Sequence, residues 1–379
     1  MTVTVGPSFN IIVPSVNSVN EGHHWPVCPS LDSSIEQWAV IPDKRPAGSP
    51  TSTAVGDFNG DGHLDLAVAN LTASVVSIYL GRGDGTFVTR TDIPVGVAPR
   101  SIVAGDFNRD GVLDLAVTSS TGNISILRGN GDGSFSLGMT FPINGQGNAV
   151  VAGDFNNDEK LDLAIASGDT ATISLLFGNG DGTFAPYITI NASPYISSLL
   201  TADFNRDGNF DLAFDNPTGG PLYLLLGTGN GSFLTTTVNS TAYPMNLAAA
   251  DVNGDGKMDL LTGGFGGAVT VLLGNGDGTF GAPHSFGTFE DQSGSDHGLA
   301  IADFNRDGKL DVAILNYRVG TVSVLLGNGD GTFNPQTEFP TGGTPLSVVS
   351  GDFNEDGKPD LALSNLTSNT VSILLNTSH

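Results

Sequence analysis

The sequence predicts an all-β protein, a seven-bladed β-propeller with four-stranded blades. Three observations support this prediction. A nonapeptide of the type DFNGDGHLD occurs seven times in the 379 residues, roughly every 50 residues. Short apolar runs bounded by Gly, Asn or Asp follow each copy, and none is long enough for an ordinary helix. Glycine accounts for 52 residues, about twice its average frequency, which is typical of many tight turns.

The repeat unit predicts the strands in order. After each nonapeptide comes an apolar stretch such as LAVAN, then a second such as VSIYL, and in six units an element of the type GNGDGTF. Its paired glycines suit a hairpin turn. Each unit therefore holds a strand entering the acidic loop, one leaving it, a third before the hairpin and a fourth after it. Such units repeated radially form a propeller. The acidic loops begin at Asp57, Asp106, Asp154, Asp203, Asp251, Asp303 and Asp352, and the hairpins at Gly81, Gly129, Gly178, Gly227, Gly274 and Gly327.

The two ends of the repeat region predict how the ring closes. The seventh unit stops at VSILLNTSH, without a hairpin or a fourth strand, whereas SIEQWAVIPDKRP precedes the first unit. We expect Ser34 to Ile41 to supply the outer strand of the last blade, which would leave no free edge there. The predicted organisation is an N-terminal extension over residues 1–33 and a single propeller over 34–379.

The acidic loops have the residue types of a calcium site. Side-chain oxygens recur at positions 1, 3, 5 and 9, and a glycine at position 6 allows a sharp bend. Hard oxygen ligands with several carboxylates favour calcium over transition metals. Position 7 varies in residue type, so we expect it to contribute its backbone carbonyl. The predicted ligands are Asp57, Asn59, Asp61, His63, Asp65, Asp106, Asn108, Asp110, Val112, Asp114, Asp154, Asn156, Asp158, Lys160, Asp162, Asp203, Asn205, Asp207, Asn209, Asp211, Asp251, Asn253, Asp255, Lys257, Asp259, Asp303, Asn305, Asp307, Lys309, Asp311, Asp352, Asn354, Asp356, Lys358 and Asp360.

The alternative to a metal site is an Asp- and Gly-rich turn that binds nothing. Identical spacing of four oxygen-bearing side chains in seven copies favours the metal, because these like charges would otherwise repel one another. We expect up to seven Ca²⁺ ions, one per blade, with a structural role. Glu159 replaces the position-6 glycine in the third loop, where a positive φ is costly for other residues. The Asp154 loop is therefore expected to be the weakest site or to bend differently.

The loop D-x-[ND]-x-D-G-x-x-D between strands, with G-[DN]-G-[TS]-F after the third strand, resembles the FG-GAP/VCBS repeat. That repeat occurs in integrin alpha-chain propellers and in many secreted bacterial proteins and lectins. The resemblance extends from about Asp57 to Leu375. It implies that each loop joins the first and second strands of a blade and binds calcium through the five positions given above. Integrin propellers carry such loops in only some blades, so this sequence, with seven, is closer to the bacterial proteins.

The net charge of the protein restricts the kinds of partner it can bind. Asp and Glu number 39 against 14 Lys and Arg, a net charge of −25, which argues against nucleic acid and anionic membranes. No apolar run reaches the 18 or so residues of a membrane helix. Extracellular calcium modules bind in the range of about 10⁻⁴ to 10⁻³ M, so we expect an extracellular or periplasmic protein. We also expect a monomer.

The connections between blades are the predicted binding surface. Up-and-down strand order places them with the turns between second and third strands, on the face opposite the metal loops. We expect a binding or adhesion module, lectin-like in the glycan case, with a glycan or a protein as ligand. The insertion Phe286–Gly298 breaks the period and is the strongest single candidate. A polysaccharide lyase or hydrolase on the same scaffold is the alternative, although no Ser/His/Asp constellation or unique carboxylate pair is present. The candidate ligand residues are Arg100, Tyr195, Tyr243, Phe289, Asp291, His297, Tyr317 and Arg318.

Overall fold

The computed structural model describes residues 38–44 by their backbone, and 48–88, 90–193, 195–240, 244–264, 268–287 and 298–378 in full. These ranges contain 28 β-strands, grouped in seven four-stranded antiparallel sheets, and no helix. No segment within them forms a helix with the length and apolar character that a membrane crossing requires. The predicted all-β class and the seven four-stranded blades are confirmed.

The strands are numbered along the chain, and the blades by the order of their acidic loops. β1 spans Trp38–Lys44. Blade 1 contains β2 (Pro50–Gly56), β3 (Asp65–Asn70), β4 (Val75–Tyr79) and β5 (Thr91–Pro94). Blade 2 contains β6 (Pro99–Gly105), β7 (Asp114–Ser119), β8 (Asn123–Gly129) and β9 (Phe135–Pro142). Blade 3 contains β10 (Ala149–Gly153), β11 (Asp162–Ser167), β12 (Thr172–Leu176) and β13 (Ile188–Asn191).

The remaining blades repeat this order. Blade 4 contains β14 (Leu199–Ala202), β15 (Asp211–Phe214), β16 (Leu222–Gly227) and β17 (Phe233–Val238). Blade 5 contains β18 (Pro244–Ala250), β19 (Asp259–Gly264), β20 (Ala268–Leu272) and β21 (His284–Gly287). Blade 6 contains β22 (Leu299–Ala302), β23 (Asp311–Asn316), β24 (Thr321–Leu325) and β25 (Thr337–Pro340). Blade 7 contains β26 (Pro345–Gly351), β27 (Asp360–Asn365) and β28 (Thr370–Asn376).

Blade 7 takes its fourth strand from the N-terminal side of the chain. β1 pairs antiparallel with β28, so that Trp38 lies opposite Asn376 and Ile41 opposite Ile373. The predicted strand Ser34 to Ile41 overlaps β1 from Trp38 onward, and its first four residues lie outside the described ranges. The contribution of this strand to holding the ring closed stays a prediction.

The core lies between adjacent sheets. The second strand of every blade is buried along its whole length, because neighbouring blades cover both of its faces. The outer strands are largely exposed. The second loop residue, a Phe in six copies, is also buried, and in five of them its ring packs on the hairpin Phe of the next blade. Phe58 and Phe135, for example, meet edge to face with ring centroids 5.5 Å apart.

The strand order gives the ring two chemically different ends. The acidic loops and the GDG hairpins lie together at one end, which we call the loop end. There the hairpin amide of one blade donates to the loop Phe carbonyl of the preceding blade, as from Gly133 to Phe58 at 3.1 Å. The same bond from Gly85 to Phe353, at 2.8 Å, joins blade 1 to blade 7. The blade-to-blade connections and the turns between second and third strands lie at the other end, the connection end.

Candidate metal centres and candidate binding surface

Each acidic loop is folded around its own side-chain oxygens. In the first loop Asp57 accepts hydrogen bonds from the amides of Gly60 and Gly62 at 2.7 and 2.9 Å. Asn59 Oδ1 accepts from the Asp61 amide, and Asp61 Oδ1 from the His63 amide, both at 2.9 Å. In the other six loops position 1 likewise accepts from the amide of position 6, position 3 from that of position 5, and position 5 from that of position 7. The side chains predicted as ligands therefore turn into the loop.

The ninth residue joins each loop to the rest of its blade. Asp65 has no exposed surface, and its two oxygens accept from the amides of Phe58 and Gly81, both at 2.8 Å. It thus ties the start of the loop to the end of the third strand. Sequence reasoning assigned it only a ligand role, although its place beside a buried strand was a signal of this second role. The equivalent aspartates, buried and bonded in the same way, are Asp114, Asp162, Asp211, Asp259, Asp311 and Asp360.

Burial and the charges of the other carboxylates in the loop set the pKa of the ninth residue's carboxyl. Burial raises the pKa of Asp65 to about 6, the amides of Gly81 and Phe58 oppose the rise, and the charges of Asp61 and Asp57 add to it. The pKa of its counterparts rises for the same first cause, desolvation. Each loop is thus a cluster of mutually repelling carboxylates, and a cation among them would lower these pKa values.

Two positions in each loop adopt a left-handed backbone. Sequence reasoning identified position 6, where Gly62 has φ 89°. It missed position 4, where non-glycine residues such as Arg109 and Arg206 have φ 61° and 60°. Glu159 takes φ 64° at position 6, and its amide donates to Asp154 at 2.7 Å, as a glycine does in the other loops. A differently bent third loop is therefore not seen, and weaker metal binding there stays a prediction.

The donor chemistry of the loops fits calcium, since four oxygen-bearing side chains and one carbonyl lie within nine residues. In the described ranges, however, no three His, Cys, Asp or Glu side chains already converge as a metal site. The oxygens accept backbone amides instead, so a bound ion requires positions 1, 5 and 9 to turn toward a common point. The imidazole of His63 contacts Glu355 of the blade 7 loop, and only its carbonyl is left for a metal.

Comparison with known repeats decides the family. The sequence profile of the FG-GAP-like repeat matches residues 57–117, 106–165, 154–214, 215–262, 255–314 and 303–363. The chain belongs to the FG-GAP-like repeat family. The predicted resemblance is confirmed. No curated protein sequence matches this FG-GAP-like repeat protein.

Solved structures with the same fold are distant in sequence. BBS1N, crystallised in complex with ARL6DN and soaked with mercury, is 13% identical with a TM-score of 0.64, over 91% of this chain and 97% of BBS1N. The BP39L lectin from Burkholderia pseudomallei is 16% identical with a TM-score of 0.63, over 86% and 96%. A streptogramin B lyase is 14% identical with a TM-score of 0.60, over 91% and 99%. These similarities establish the fold alone.

The candidate ligand residues of this FG-GAP-like repeat protein fall into two groups. Arg100 and Tyr195 lie at the connection end of blades 2 and 3, and Tyr317 and Arg318 in the β23–β24 turn of blade 6. Tyr243, Phe289, Asp291, His297 and residues 288–297 of the insertion lie outside the described ranges. Of the described candidates, the structure thus places two at the connection end of blades 2 and 3 and two in blade 6.

Sequence reasoning missed three polar residues near Arg100 and Tyr195. Gln146 lies in the connection before blade 3, and Asp169 in the turn of blade 3. Asp215 is fully buried in blade 4, and burial raises its pKa to about 6, although the Ser197 hydroxyl and the Ser197 and Ser198 amides donate to it. Asp215 could have been noticed because the other copies have Ala69, Thr118, Ala166, Gly263, Leu315 or Ser364 at this position.

Proposed function

We propose that this FG-GAP-like repeat protein is a calcium-stabilised binding module that works outside the cytoplasm, in the periplasm or extracellular space. Calcium occupies the loop end, and a glycan or protein ligand occupies the connection end. One observation carries the proposal: the loop end has the same hydrogen-bonded loop in every blade, whereas the connections differ from blade to blade. Uniform loops suit a repeated structural ion, and varied loops on a rigid scaffold suit recognition.

The role of calcium follows from what each loop touches. Positions 1, 3, 5 and 9 and the carbonyl of position 7 would hold the ion. The ninth residue reaches the third strand, and the second residue packs against the next blade, so a filled loop stiffens both. An ion that binds only the folded state, at twenty times its Kd, stabilises it by about 1.8 kcal/mol per site. Sites of about 10⁻⁴ M affinity would reach that level at millimolar calcium, as in extracellular fluid.

One observation supports a binding function over an enzymatic one. The fold itself does not discriminate, because a lectin and a streptogramin B lyase both have it, although the lectin makes a glycan one ligand class to test. A hydrolase or lyase needs an acid and a base facing one substrate. Asp215, whose raised pKa would suit an acid, has no exposed surface, and its hydrogen bonds occupy it. Asp169 is exposed, but within the described ranges none of the residues hydrogen-bonded to it is an exposed carboxylate that could act as the second catalytic group.

The test has a metal part and a ligand part. Differential scanning calorimetry with calcium and then with a chelator should show a large drop in melting temperature on chelation. An unchanged melting temperature would exclude structural calcium. Glycan-array and pull-down experiments in calcium should identify a ligand whose binding falls when Tyr195, His297 or Arg318 is changed to Ala. Turnover of a polysaccharide by the purified protein would overturn the binding-module proposal in favour of an enzyme.

A further inference from the structure

We propose that the connection end of blades 2 to 4 contains a binding site for uncharged sugar residues of a glycan. Its parts are Arg100, Gln146, Asp169, Thr170 and Tyr195. The inference rests on the proposed binding function and names the ligand class and its place on the ring.

Tyr195 has a fixed backbone and an exposed aromatic side chain. Its side chain is 66% exposed, although its backbone has φ 65°, a conformation that disfavours a bulky residue. The Tyr195 amide donates to the Gly168 carbonyl at 2.9 Å, and a Cβ on Gly168 would lie 2.9 Å from the Tyr195 Cα. The close approach of a glycine therefore pins the tyrosine backbone. An aromatic ring presents a negative face, against which the C–H groups of a pyranose pack.

The polar part of the site is a hydrogen-bonded chain. Arg100 Nη2 donates to Gln146 Oε1 at 2.9 Å, and the Gln146 amide donates to Asp169 Oδ1 at 3.0 Å. These bonds fix Arg100, Gln146 and Asp169 relative to one another and leave Asp169 Oδ2, the side-chain Nε2 of Gln146 and further guanidinium donors for a ligand. Arg100 Nε is buried and has no partner among the described residues. Fixed donors and acceptors side by side match vicinal sugar hydroxyls.

The aromatic and polar parts are physically connected. Gly168, which accepts from Tyr195, directly precedes Asp169 in the turn between β11 and β12. The Asn148 side chain donates to the Ile196 carbonyl at 2.9 Å, so the connections before and after blade 3 are bonded to each other. Thr170 Oγ1 donates to the Asn144 carbonyl at 2.9 Å and closes the polar side. The segment that carries Tyr195 and the polar chain are thus joined through Gly168 and Asp169.

Charge selects an uncharged ligand. The site has one guanidinium and one carboxylate, Arg100 and Asp169, and is therefore neutral. The protein has a net charge of −25, which seven bound Ca²⁺ ions would reduce to about −11, so it still repels sulfated, phosphorylated or uronate sugars. Recognition of a neutral sugar by one aromatic ring and a few directional hydrogen bonds does not depend on this charge.

The experiment starts with the full chain in millimolar calcium on an array of neutral and acidic glycans, and continues with calorimetric titration of the best neutral oligosaccharide. Tyr195→Ala should weaken binding at least tenfold, and Tyr195→Phe should retain it, because the ring is kept. Asp169→Asn and Gln146→Ala should weaken it several-fold. Leu234→Ala, at a position of β17 that is 65% exposed, is the matched control and should bind as the wild type does. Tyr317→Ala tests the candidate residues of blade 6.

One variant separates recognition from folding. Tyr195→Gly removes the ring and relieves the left-handed backbone, so it should abolish sugar binding while its melting temperature stays equal to or rises above that of the wild type. A residue with only a structural role would not show this combination. Loss of binding together with a lower melting temperature would count against the site.

The outcomes distinguish this site from the general proposal. If chelation destabilises the protein and it captures a protein ligand but no neutral glycan, the sugar site is wrong and the binding module stands. Binding that survives Tyr195→Ala but is lost in Tyr317→Ala would place the glycan elsewhere and overturn the inference. If chelation has no effect and neither ligand class binds, the proposed function itself fails.

Discussion

Replacing Asp215 with Asn should stabilise the protein at neutral and higher pH. The carboxylate is fully buried at the end of β15, and its Oδ1 accepts from the amides of Ser197 and Ser198 at 2.8 and 2.9 Å. Its Oδ2 accepts from the Ser197 hydroxyl. An asparagine can keep all three contacts, since its oxygen accepts both amides and its nitrogen donates to the hydroxyl after that group rotates. The substitution therefore removes the buried charge with little other change.

The size of the effect follows from the pKa. Burial raises the pKa of Asp215 from 3.8 to about 6, a difference worth about 3 kcal/mol at 1.36 kcal/mol per pKa unit. The folded state holds the proton more tightly than the unfolded chain, so ionisation costs stability. That cost is small near pH 4, grows as the pH rises through about 6 and is complete above about pH 7. An entropy of about 2.1 cal/mol/K per residue converts 3 kcal/mol into about 4 °C for this chain.

The assay compares the melting temperatures of Asp215→Asn and wild type at pH 4, 6 and 8 in excess calcium. Taking the difference between the two proteins cancels the titration of the seven buried loop aspartates. The variant should melt about 4 °C higher at pH 8 and nearly equally at pH 4. Leu234→Ala, at an exposed position without an ionisable group, is the control and should show no such trend. An equal difference at all three pH values, or a less stable variant at pH 8, would refute the reasoning.

Three further predictions concern the loops and the ring. Chelating calcium should lower the melting temperature by about 16 °C if all seven sites contribute about 1.8 kcal/mol each. Asp65→Asn should reduce calcium binding by one site in calorimetric titration, and an unchanged stoichiometry would contradict that ligand role. Glu159→Gly should raise the free energy of unfolding by about 1 kcal/mol, because φ 64° costs a non-glycine residue about that much. The reverse change, Gly208→Glu, should lower it. If both variants melted at the wild-type temperature, backbone strain at this position would be excluded. Deleting residues 1–45 removes β1 and leaves β28 as a free edge, so the truncated protein should melt at a lower temperature, and melting like the full chain would rule out closure by this strand.

Much of the fold was predictable because each local signal repeats. Glycine pairs predict the hairpins, and apolar runs between turn residues predict the strands. Because the unit occurs seven times, an assignment that is ambiguous in one copy is settled by the others. The burial of whole second strands was less visible, since it depends on sheets packing against both faces. The pairing of β1 with β28 joins residues more than 300 positions apart, and only an unfilled strand position in the last unit pointed to it.

The candidate sites were predictable to different degrees for physical reasons. The loop side chains are local, so their spacing predicted the donor set. The tie from Asp65 to Gly81 spans 16 residues and depends on how a blade folds back on itself. The left-handed backbone of Arg109 is invisible in a residue type that normally avoids it. At the connection end, Arg100 and Tyr195 were identifiable as candidates, but Gln146 and Asp169 gain meaning only from contacts between separate connections.

The departures from the repeat converge on one connection. Tyr195 has a left-handed backbone and an exposed aromatic ring. The buried carboxylate of Asp215 accepts from the amides of Ser197 and Ser198, which lie two and three residues after Tyr195. Both features cost stability, and they lie on the same short segment between β13 and β14. Local violations of folding rules that cluster in this way are expected at functional sites. If the proposed sugar site is correct, Asp215 is a positioning residue for the segment that carries Tyr195, because it accepts from Ser197 and Ser198. Asp215→Ala, which leaves both serine amides without their acceptor, should therefore weaken sugar binding, whereas Asp215→Asn should preserve it while raising the melting temperature.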